Sequence, residues 1–243
     1  MSVVVCSLVG SLMGDAWMKL PALIDLCGKH EVRVVAGTYA MPVWEWGKKY
    51  LRGADYEMIE TVEDPDDVES PYCPGKGYIA LTAGLENVKG MYPQEMVLGD
   101  AEIGSYYYKQ DKLNLELQNG LSAVDGEHTA VHAYTRHEWK NCNGVVAAVK
   151  YRRPVAWVGL PGEPTVPGAT MARKTFDNMA GVVVQGYGFV GVLSSWFNLA
   201  LLFRKRIVVA SFTGDVPTDN PRCTKLVEPG VMELQAAIDA GGF

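Results

Sequence analysis

The feature that most constrains the fold is a continuous apolar run at residues 2–9, SVVVCSLV, which is rich in β-branched side chains. Such runs suit strands that are covered on both faces of a parallel sheet. A glycine-bearing turn follows, and apolar residues at helical spacing then predict a helix from Trp17 to Lys29, with Pro21 in its first turn. A second strand at residues 32–36 and a second helix at Pro42–Leu51 complete a β–α–β–α rhythm, which is typical of a doubly wound fold.

The same rhythm returns after residue 128. We predict strands at 129–133, Pro154–Val158, Val182–Gln185 and Arg206–Ser211, and helices at Asn141–Lys150, Thr170–Asn178, Ser194–Phe203 and Val231–Ala240. The segment between the two halves, residues 53–127, holds charged runs, prolines and three consecutive tyrosines, and only a strand at Gly77–Thr82 is predicted there. We therefore expect an α/β protein of two domains, at residues 1–125 and 126–243.

Composition favours a folded protein that stays out of the membrane. Of 243 residues, 48% are apolar and 21% are charged, which supports a packed core. No apolar run reaches the roughly 18 to 20 residues that cross a bilayer, and the N-terminus lacks the basic start of a signal peptide. We expect a cytoplasmic location, where five scattered cysteines without a CxxC pair are reduced thiols rather than disulfides or zinc ligands.

Charge and missing motifs exclude several classes of function. The net charge is −6, and the basic residues form no long cluster, so a small anionic ligand such as a nucleoside diphosphate is favoured over a polyanion. The sequence has no P-loop, no GxSxG elbow and no GxGxxG after its first strand. His132 and His137 are five residues apart without a third ligand at matching spacing, so we expect no metal site.

The turn after the first strand carries a family resemblance. The segment GSLMGDAWMKLPAL, with Ser11, Met13, Gly14 and Asp15 before Leu-Pro-Ala-Leu, resembles the corresponding turn of the ADP-heptose:lipopolysaccharide heptosyltransferase family (glycosyltransferase family 9). The resemblance implies the GT-B fold, in which two Rossmann-like lobes face each other across a cleft and the second lobe binds a nucleotide-sugar donor. The chain is short for this family, so we expect a trimmed first lobe.

The position of Asp15 has a physical meaning of its own. A strand end, a glycine-bearing loop and a helix N-terminus form the crevice where α/β proteins bind ligands. A carboxylate there is able to take the proton from an attacking hydroxyl, which makes Asp15 the candidate general base. The alternative is that Asp15 only caps the following helix.

A second segment, GFVGVLSSWFNLALLFRKRIVVASFTGDVP, is similar in layout to the donor site of the same family. In this resemblance Ser194, Ser195 and Asn198 take the positions of a hydroxyl residue, a glycine and a histidine, and Thr213 and Gly214 match the closing loop. Leu193 replaces the family's acidic residue, and asparagine cannot titrate as histidine does. A helix N-terminus with two serines still suits a diphosphate, and ordinary capping by Ser194 is compatible with that role.

A third, weaker resemblance lies at the start of the second half. The loop after the predicted strand offers Thr135, Arg136 and Lys140, and Glu163 follows the next strand. Arg136 or Lys140 is placed to neutralise a departing diphosphate, and Glu163 to accept a hydrogen bond from the nucleoside. Solvent-exposed loop residues are the simpler interpretation of all three charged side chains.

Together these motifs predict a metal-independent glycosyltransferase that uses a nucleoside-diphosphate sugar as substrate, needs no cofactor and, as the resemblance implies, inverts the anomeric centre. The acceptor hydroxyl remains open between a saccharide and a modified DNA base. A non-catalytic nucleotide or nucleotide-sugar binding protein is the alternative, because two donor-site positions have lost the expected groups. Aromatic residues at Trp44, Trp46 and 106–108 either stack on a ligand or pack in the core.

Overall fold

The computed structural model divides the chain into two compact units, Met1–Asn114 and Leu115–Phe243, hereafter the first and second unit. The residues it describes are 3–9, 13–59, 61–62, 79–80, 84–99, 102–103, 127–135, 141–149, 154–159, 170–171, 175–211 and 220–243. The predicted boundary at residue 125 and the boundary of these units both lie in a stretch, 104–126, outside the described residues.

The first unit alternates strands and helices. Its elements are β1 (Val4–Leu8), α1 (Met13–Cys27), β2 (Val32–Gly37), a 3₁₀ turn (Thr38–Ala40), α2 (Met41–Gly47), β3 (Asp55–Ile59), β4 (Thr61–Val62), β5 (Ile79–Ala80), α3 (Gly84–Met91) and β6 (Met96–Leu98).

A four-stranded parallel sheet forms the centre of the first unit, in the order β3-β2-β1-β6. β4 and β5 pair separately, also in parallel. Every residue of β1 is buried, which confirms that the opening apolar run is an interior strand. Trp17, Leu20 and Leu23 of α1 are fully or almost fully buried, so this helix is a main contributor to the core of the unit.

The second unit contains the remaining elements. They are β7 (Thr129–His132), α4 (Asn143–Val149), β8 (Val155–Trp157), β9 (Thr170–Met171), α5 (Phe176–Gln185), β10 (Gly188–Val192), α6 (Ser195–Leu202), β11 (Arg206–Ser211), β12 (Cys223–Val227) and α7 (Val231–Ala240).

A six-stranded, wholly parallel sheet organises the second unit, in the order β12-β11-β10-β7-β8-β9. Counted from the start of the unit, this is the order 6-5-4-1-2-3 of the doubly wound dinucleotide-binding fold. Val131, Val190 and Val208 of the sheet and Val145 of α4 belong to one buried cluster with Ile238 of α7. The sequence prediction of an α/β protein with parallel sheets is confirmed.

Helix α1 begins earlier than the sequence predicts. It starts at Met13 rather than at Trp17, so the glycine-bearing segment before Trp17 is partly helical. Pro21 is therefore the ninth residue of the helix, and the prediction that it lies in the first turn was wrong. Proline in a helix interior removes one i→i−4 hydrogen bond, and here its ring is buried in the core.

The connection between β9 and β10 also differs from the prediction. Thr170–Met171 is a strand, and the helix runs from Phe176 to Gln185, so neither the helix at Thr170–Asn178 nor the strand at Val182–Gln185 is correct. The strand that the sequence predicts at Val182 lies a few residues later, at Gly188–Val192. By contrast, β11 and α7 have the predicted bounds.

The segment between the predicted halves contributes to the first sheet. β3 and β6, which pattern analysis did not predict, flank β2 and β1, and the predicted strand at Gly77–Thr82 is represented by Ile79–Ala80. Among the described residues, no helix combines the length and the apolar character needed to cross a membrane.

Candidate functional site

The strand order of the second unit defines one position for a ligand. The order reverses between β7 and β10, which are parallel neighbours with Gly191 opposite His132. In open α/β sheets the crevice beyond the carboxyl ends of the strands at such a switch point binds ligands, because the two following chain segments diverge there. The segments that diverge here are the loop after His132 and the turn at Leu193–Ser194.

A glycine keeps the two switch-point strands close together. A Cβ atom at Gly191 would lie 2.4 Å from the carbonyl oxygen of His132 on the neighbouring strand. A side chain at this position would therefore push β10 away from β7. His132 itself is 3% exposed and its ring centroid lies 6.1 Å from that of Trp157, so the end of β7 is anchored in the core.

Helix α6 begins just after the carboxyl end of β10. Ser194 is the N-cap, with extended backbone (φ −154°, ψ 174°), and its Oγ accepts a hydrogen bond from the amide of Phe197 at 3.4 Å. Trp196 and Phe197 are buried and pack the first turn of α6 against the rest of the second unit. The ring centroids of Trp196 and Phe176 lie 5.5 Å apart. The helix start is thus fixed by packing as well as by its cap.

This helix start has the chemistry of an anion site. The first amides of an α-helix have no partner within the helix, and the dipole places partial positive charge there. Ser195 and Asn198 are half-buried in the first turn of α6, and the amide of Asn198 donates to the carbonyl of Ser194 at 3.3 Å. Leu193 is also half-buried, so the residue before the cap adds apolar surface rather than charge.

The loop after β7 is closed at its base by hydrogen bonds. The amide of Thr135 donates to Oδ1 of Asn141 at 2.6 Å, and the amide of Cys142 donates to the carbonyl of Ala133 at 3.0 Å. The hydroxyl of Tyr134 donates to Oδ1 of Asn143 at 2.9 Å. These contacts hold half-buried Thr135 at the carboxyl end of β7, which is the strand adjacent to the one that leads to Ser194.

In the first unit, Asp15 is carried by a helix. It is the third residue of α1 and is exposed, while Gly14 beside it is buried and Met13 is half-buried. Because the helix already includes Met13, Asp15 is not the N-cap, and the capping alternative is wrong in that form. A carboxylate in the first turn is still favoured by the helix dipole.

Comparisons with known proteins bear on both units. No protein-family model and no curated protein sequence matches the chain. Solved structures do match. The Escherichia coli heptosyltransferase WaaC with ADP has a TM-score of 0.64 at 10% identity and covers 99% of this chain and 100% of its own. A family 9 glycosyl transferase from Veillonella parvula has a TM-score of 0.58 at 10% identity, covering 98% of this chain and 88% of its own. The spinosyn forosaminyltransferase SpnP has a TM-score of 0.56 at 10% identity, covering 99% and 90%.

The chain has the GT-B glycosyltransferase fold. The likeness extends over almost all of the sequence, so it includes both units and not only the common nucleotide-binding topology of the second. The resemblance seen in the GSLMGDAWMKLPAL segment is in accord with these structures, which include heptosyltransferases and a family 9 member. Identities near 10% mean that residue roles do not follow from the fold, and the site must be argued from its own chemistry.

Several predicted site residues lie outside the described residues. They are Ser11, Arg136, Lys140, Glu163, Thr213 and Gly214, together with His137 and the tyrosines at 106–108. Their predicted roles stay predictions. The structure thus brings Ser194, Ser195, Asn198 and Thr135 to the carboxyl ends of β7 and β10, and places Asp15 with Met13 and Gly14 in the first unit.

The first unit of this GT-B fold has a switch point that the sequence analysis missed. Its order β3-β2-β1-β6 reverses between β1 and β6. The chain after β6 contains Gly99, whose amide donates to Oε2 of Glu102 at 3.0 Å. Glu102 is exposed. The available signal was a repeated pattern, because an apolar segment followed by Gly-Asp occurs both at residues 14–15 and at 99–100.

The described aromatic and thiol groups belong to the interior. Trp44 is fully buried, and Trp46 is 8% exposed with its ring 5.3 Å from that of Trp17, so both tryptophans pack in the core. Burial raises the pKa of Cys6 to about 12 and that of Cys27 to about 11, so these thiols are protonated and weakly nucleophilic at neutral pH. Within the described ranges, no group of three His, Cys, Asp or Glu side chains is arranged around a metal position.

Proposed function

We propose that this protein is a glycosyltransferase that moves a sugar from a nucleoside-diphosphate donor to an acceptor hydroxyl, with Asp15 as the general base. The observation that carries the proposal is the capped N-terminus of α6 at the β7–β10 switch point, in a chain whose whole length has a glycosyltransferase fold.

The donor diphosphate would bind at Ser194 and Ser195. Backbone amides at the start of a helix donate to phosphate oxygens without needing a charged side chain. The Ser194 oxygen accepts from the amide of Phe197, and its O–H would donate a further hydrogen bond to the diphosphate at the same time. Thr135, at the end of the neighbouring strand, would contact the same donor, and Arg136 or Lys140 would balance the charge of the departing diphosphate. One of the similar structures holds ADP, which supports an adenosine diphosphate donor as the first candidate.

The proposed reaction is a single displacement. The carboxylate of Asp15 takes the proton of the acceptor hydroxyl, and the acceptor oxygen forms a bond to the anomeric carbon. The bond between that carbon and the diphosphate oxygen breaks, and the electron pair leaves with the nucleoside diphosphate. Attack opposite to the leaving group inverts the anomeric centre.

The test compares two aspartates on the same helix. Asp15→Asn removes the proposed base, whereas Asp25→Asn removes a half-buried carboxylate near the other end of α1, where it pairs with the exposed Lys29 at 2.6 Å. Release of nucleoside diphosphate is measured with a panel of nucleotide sugars and hydroxyl acceptors, and ADP affinity is measured by calorimetry. We expect Asp15→Asn to reduce kcat by about 10²-fold or more with little change in ADP affinity, because general base catalysis contributes on the order of 10²–10⁴-fold.

The control should leave both quantities near their original values, since an exposed ion pair contributes little to stability. Sugar transfer by Asp15→Asn at the unmodified rate would show that another group, or no group, takes the proton. Leu193 stands where the similar family has an acidic residue. This supports one alternative, a protein that binds a nucleotide sugar but does not catalyse its transfer. ADP binding together with no nucleotide release from any donor would favour that alternative.

A further inference from the structure

One lysine of the first unit is buried. Of the aspartate, glutamate, lysine and arginine side chains that the structure describes, Lys19 of α1 alone is buried, with 8% of its surface exposed. Lysine is among the residue types least often found in this state, because removing an ammonium group from water costs free energy unless an opposite charge or hydrogen-bond acceptors compensate for it. The burial of Lys19 therefore requires an acceptor for its ammonium group, and an anion is the strongest acceptor.

The geometry of α1 directs this side chain towards Asp15. Lys19 follows Asp15 by four residues, and side chains at this spacing lie on one face of a helix with their Cβ atoms about 5–6 Å apart. Helical side chains also point back towards the N-terminus, so that a residue covers the turn before its own Cα atom. The turn that Lys19 covers is the one that carries the exposed Asp15.

A second pair on the same helix shows what this spacing allows. Asp25 and Lys29 have the same separation and the same order along the chain, and Nζ of Lys29 lies 2.6 Å from Oδ2 of Asp25. In that pair the lysine is the more exposed member, so water screens the interaction. In Asp15 and Lys19 the exposures are reversed, since the cation is buried and the carboxylate is open to an acceptor. The buried cation is thus the better fixed member of the pair.

The position of Lys19 in the helix gives a second reason for an anionic partner. It is the seventh residue of α1, and its side chain is directed towards the first turn, where the helix dipole carries partial positive charge and disfavours a cation. The backbone beside it is firmly held, because Trp17 is buried and its ring centroid lies 5.3 Å from that of Trp46. A carboxylate in the first turn offsets both the burial and the dipole, and Asp15 is the acidic residue of that turn.

The lysines that follow α2 have contacts of their own. Nζ of Lys48 lies 2.5 Å from Oε1 of Glu45, and Nζ of Lys49 lies 4.4 Å from the ring centroid of Trp46. Because these contacts hold both ammonium groups beside α2, Lys19 is the described cation best placed for Asp15.

We propose that Lys19 is a positioning residue for the general base. Its ammonium group donates to one carboxylate oxygen of Asp15 and leaves the other oxygen free to take the proton of the acceptor hydroxyl. This inference rests on the proposed function, because it concerns the residue that orients the base of that reaction. Lys19 touches neither the acceptor nor the donor. It restricts Asp15 to one orientation, and a reacting group that is held in place needs less reorganisation to reach the transition state.

Two substitutions separate the charge of Lys19 from its bulk. Lys19→Met keeps most of the buried volume without the charge, and Lys19→Arg keeps the charge. Nucleoside-diphosphate release is measured at saturating donor and acceptor, ADP affinity by calorimetry, and the free energy of unfolding by urea denaturation. We expect Lys19→Met to lower kcat by about tenfold, which is part of the roughly 10²–10⁴-fold that general base catalysis contributes. ADP affinity should not change, and Lys19→Arg should recover most of the lost kcat. The fold should tolerate Lys19→Met, because the carboxylate left behind is exposed and stays hydrated.

A double-mutant cycle with Asp15→Asn tests whether Lys19 acts through the base. If it does, Lys19→Met lowers kcat by about tenfold when Asp15 is present and by less than about twofold in the Asp15→Asn background. A residue with a merely structural role would lower kcat by the same factor in both backgrounds. Lys29→Met is the matched control, since it removes a lysine at the same spacing from an aspartate of α1, and it should leave kcat unchanged.

The outcomes separate the two proposals. An unchanged kcat in Lys19→Met, an equal loss in both backgrounds, or no recovery by Lys19→Arg overturns the positioning role and leaves Asp15 as the base. A loss in Lys29→Met as large as that in Lys19→Met also overturns it, because the number of charges would then be responsible. Sugar transfer by Asp15→Asn at the unmodified rate, or no nucleotide release with any donor and acceptor, overturns the proposed function and the positioning role with it.

Discussion

Two hydroxyl caps of the second unit share one geometry in different surroundings. Ser194 caps α6 next to the switch point, and Thr175 caps α5, which follows β9 at the far edge of the same sheet. In each case the side-chain oxygen accepts from the amide three residues later at 3.4 Å. The two hydroxyls thus make the same capping contact, although Thr175 is exposed and also accepts from Nδ2 of Asn178 at 2.5 Å. They differ in what lies beyond the helix end.

This match allows capping to be separated from ligand binding. Ser194→Ala and Thr175→Ala should each lower the free energy of unfolding by about 0.5–2 kcal/mol, which is the usual cost of losing such a cap. Only Ser194→Ala should also weaken ADP binding, by roughly tenfold, if the hydroxyl donates one hydrogen bond to the diphosphate. Urea unfolding and calorimetry measure the two effects. Equal ADP affinity in both variants would remove Ser194 from the donor site.

For single residues, the sequence predicts the structural role where a local rule such as helix capping determines it. Ser194 as a cap follows from a hydroxyl residue between an apolar strand and an apolar helix, and the structure confirms it. The helical position of Asp15 could not be read in the same way. A helix that starts at Met13 includes Gly14, which is a poor helix former, and burial of Gly14 and Ala16 in the core overrides that local preference.

Among the elements, α5 shows why an apolar run misleads. Its sequence, FDNMAGVVVQ, ends in three valines that favour a strand, yet Met179 to Val184 are all buried within a helix. A helix buried on nearly all sides loses the polar stripe that reveals its period, and β-branched residues then argue for the wrong element. The cap at Thr175 was the local signal that marked the true start of the helix.

The C-terminal end of α5 is held by two side chains from outside the helix. Nε2 of His128 donates to the carbonyl of Val182 at 2.8 Å, and Nζ of Lys205 donates to the carbonyl of Gly186 at 3.1 Å. The last carbonyls of a helix have no partner within it and carry partial negative charge, so a cation there is favourable. The ammonium group is partly removed from water, and this desolvation lowers the pKa of Lys205.

Lys205→Met should therefore destabilise the second unit. It keeps most of the side-chain volume but leaves the Gly186 carbonyl without its charged donor, and we expect a loss of about 1 kcal/mol. Lys225→Met, on the exposed strand β12, is the matched control and should change the free energy of unfolding by less than about 0.5 kcal/mol. Urea denaturation measures both. A loss in the control as large as that in Lys205→Met would mean that charge number, not the helix end, is responsible.

At the level of the whole molecule, the two units differ in how much of the doubly wound pattern they contain. Within the part of the chain that the structure describes, the second unit has six strands in the doubly wound order, and the main sheet of the first has four, β3-β2-β1-β6. The sequence predicted the two halves from their rhythm but not β3 or β6. β6 is apolar but only three residues long, and β3 begins with a polar DYE, so neither gives an apolar run long enough to predict a buried strand.

The division into two units makes a prediction about ligand-induced protection. If ADP binds at the switch point of the second unit, it stabilises that unit by about 2.7 kcal/mol at a hundred times its Kd. Amide hydrogen exchange should then slow in peptides from β7 and β10 and change much less in peptides from β1 and β2. Equal protection of β1 and β7 would contradict a donor site confined to the second unit.

The close seat of α1 against α2 has a consequence for enzyme engineering. A Cβ atom at Gly47 would lie 2.7 Å from Cδ1 of Leu20, so the two helices approach each other at a glycine that the Leu20 side chain covers. Asp15 lies on the same helix as Leu20, about one and a half turns closer to its N-terminus. A methyl group added at Gly47 would meet the end of the Leu20 side chain, which would have to shift. Gly47→Ala is therefore a means of changing how α1 packs, and with it the surroundings of Asp15, from a position outside the proposed site.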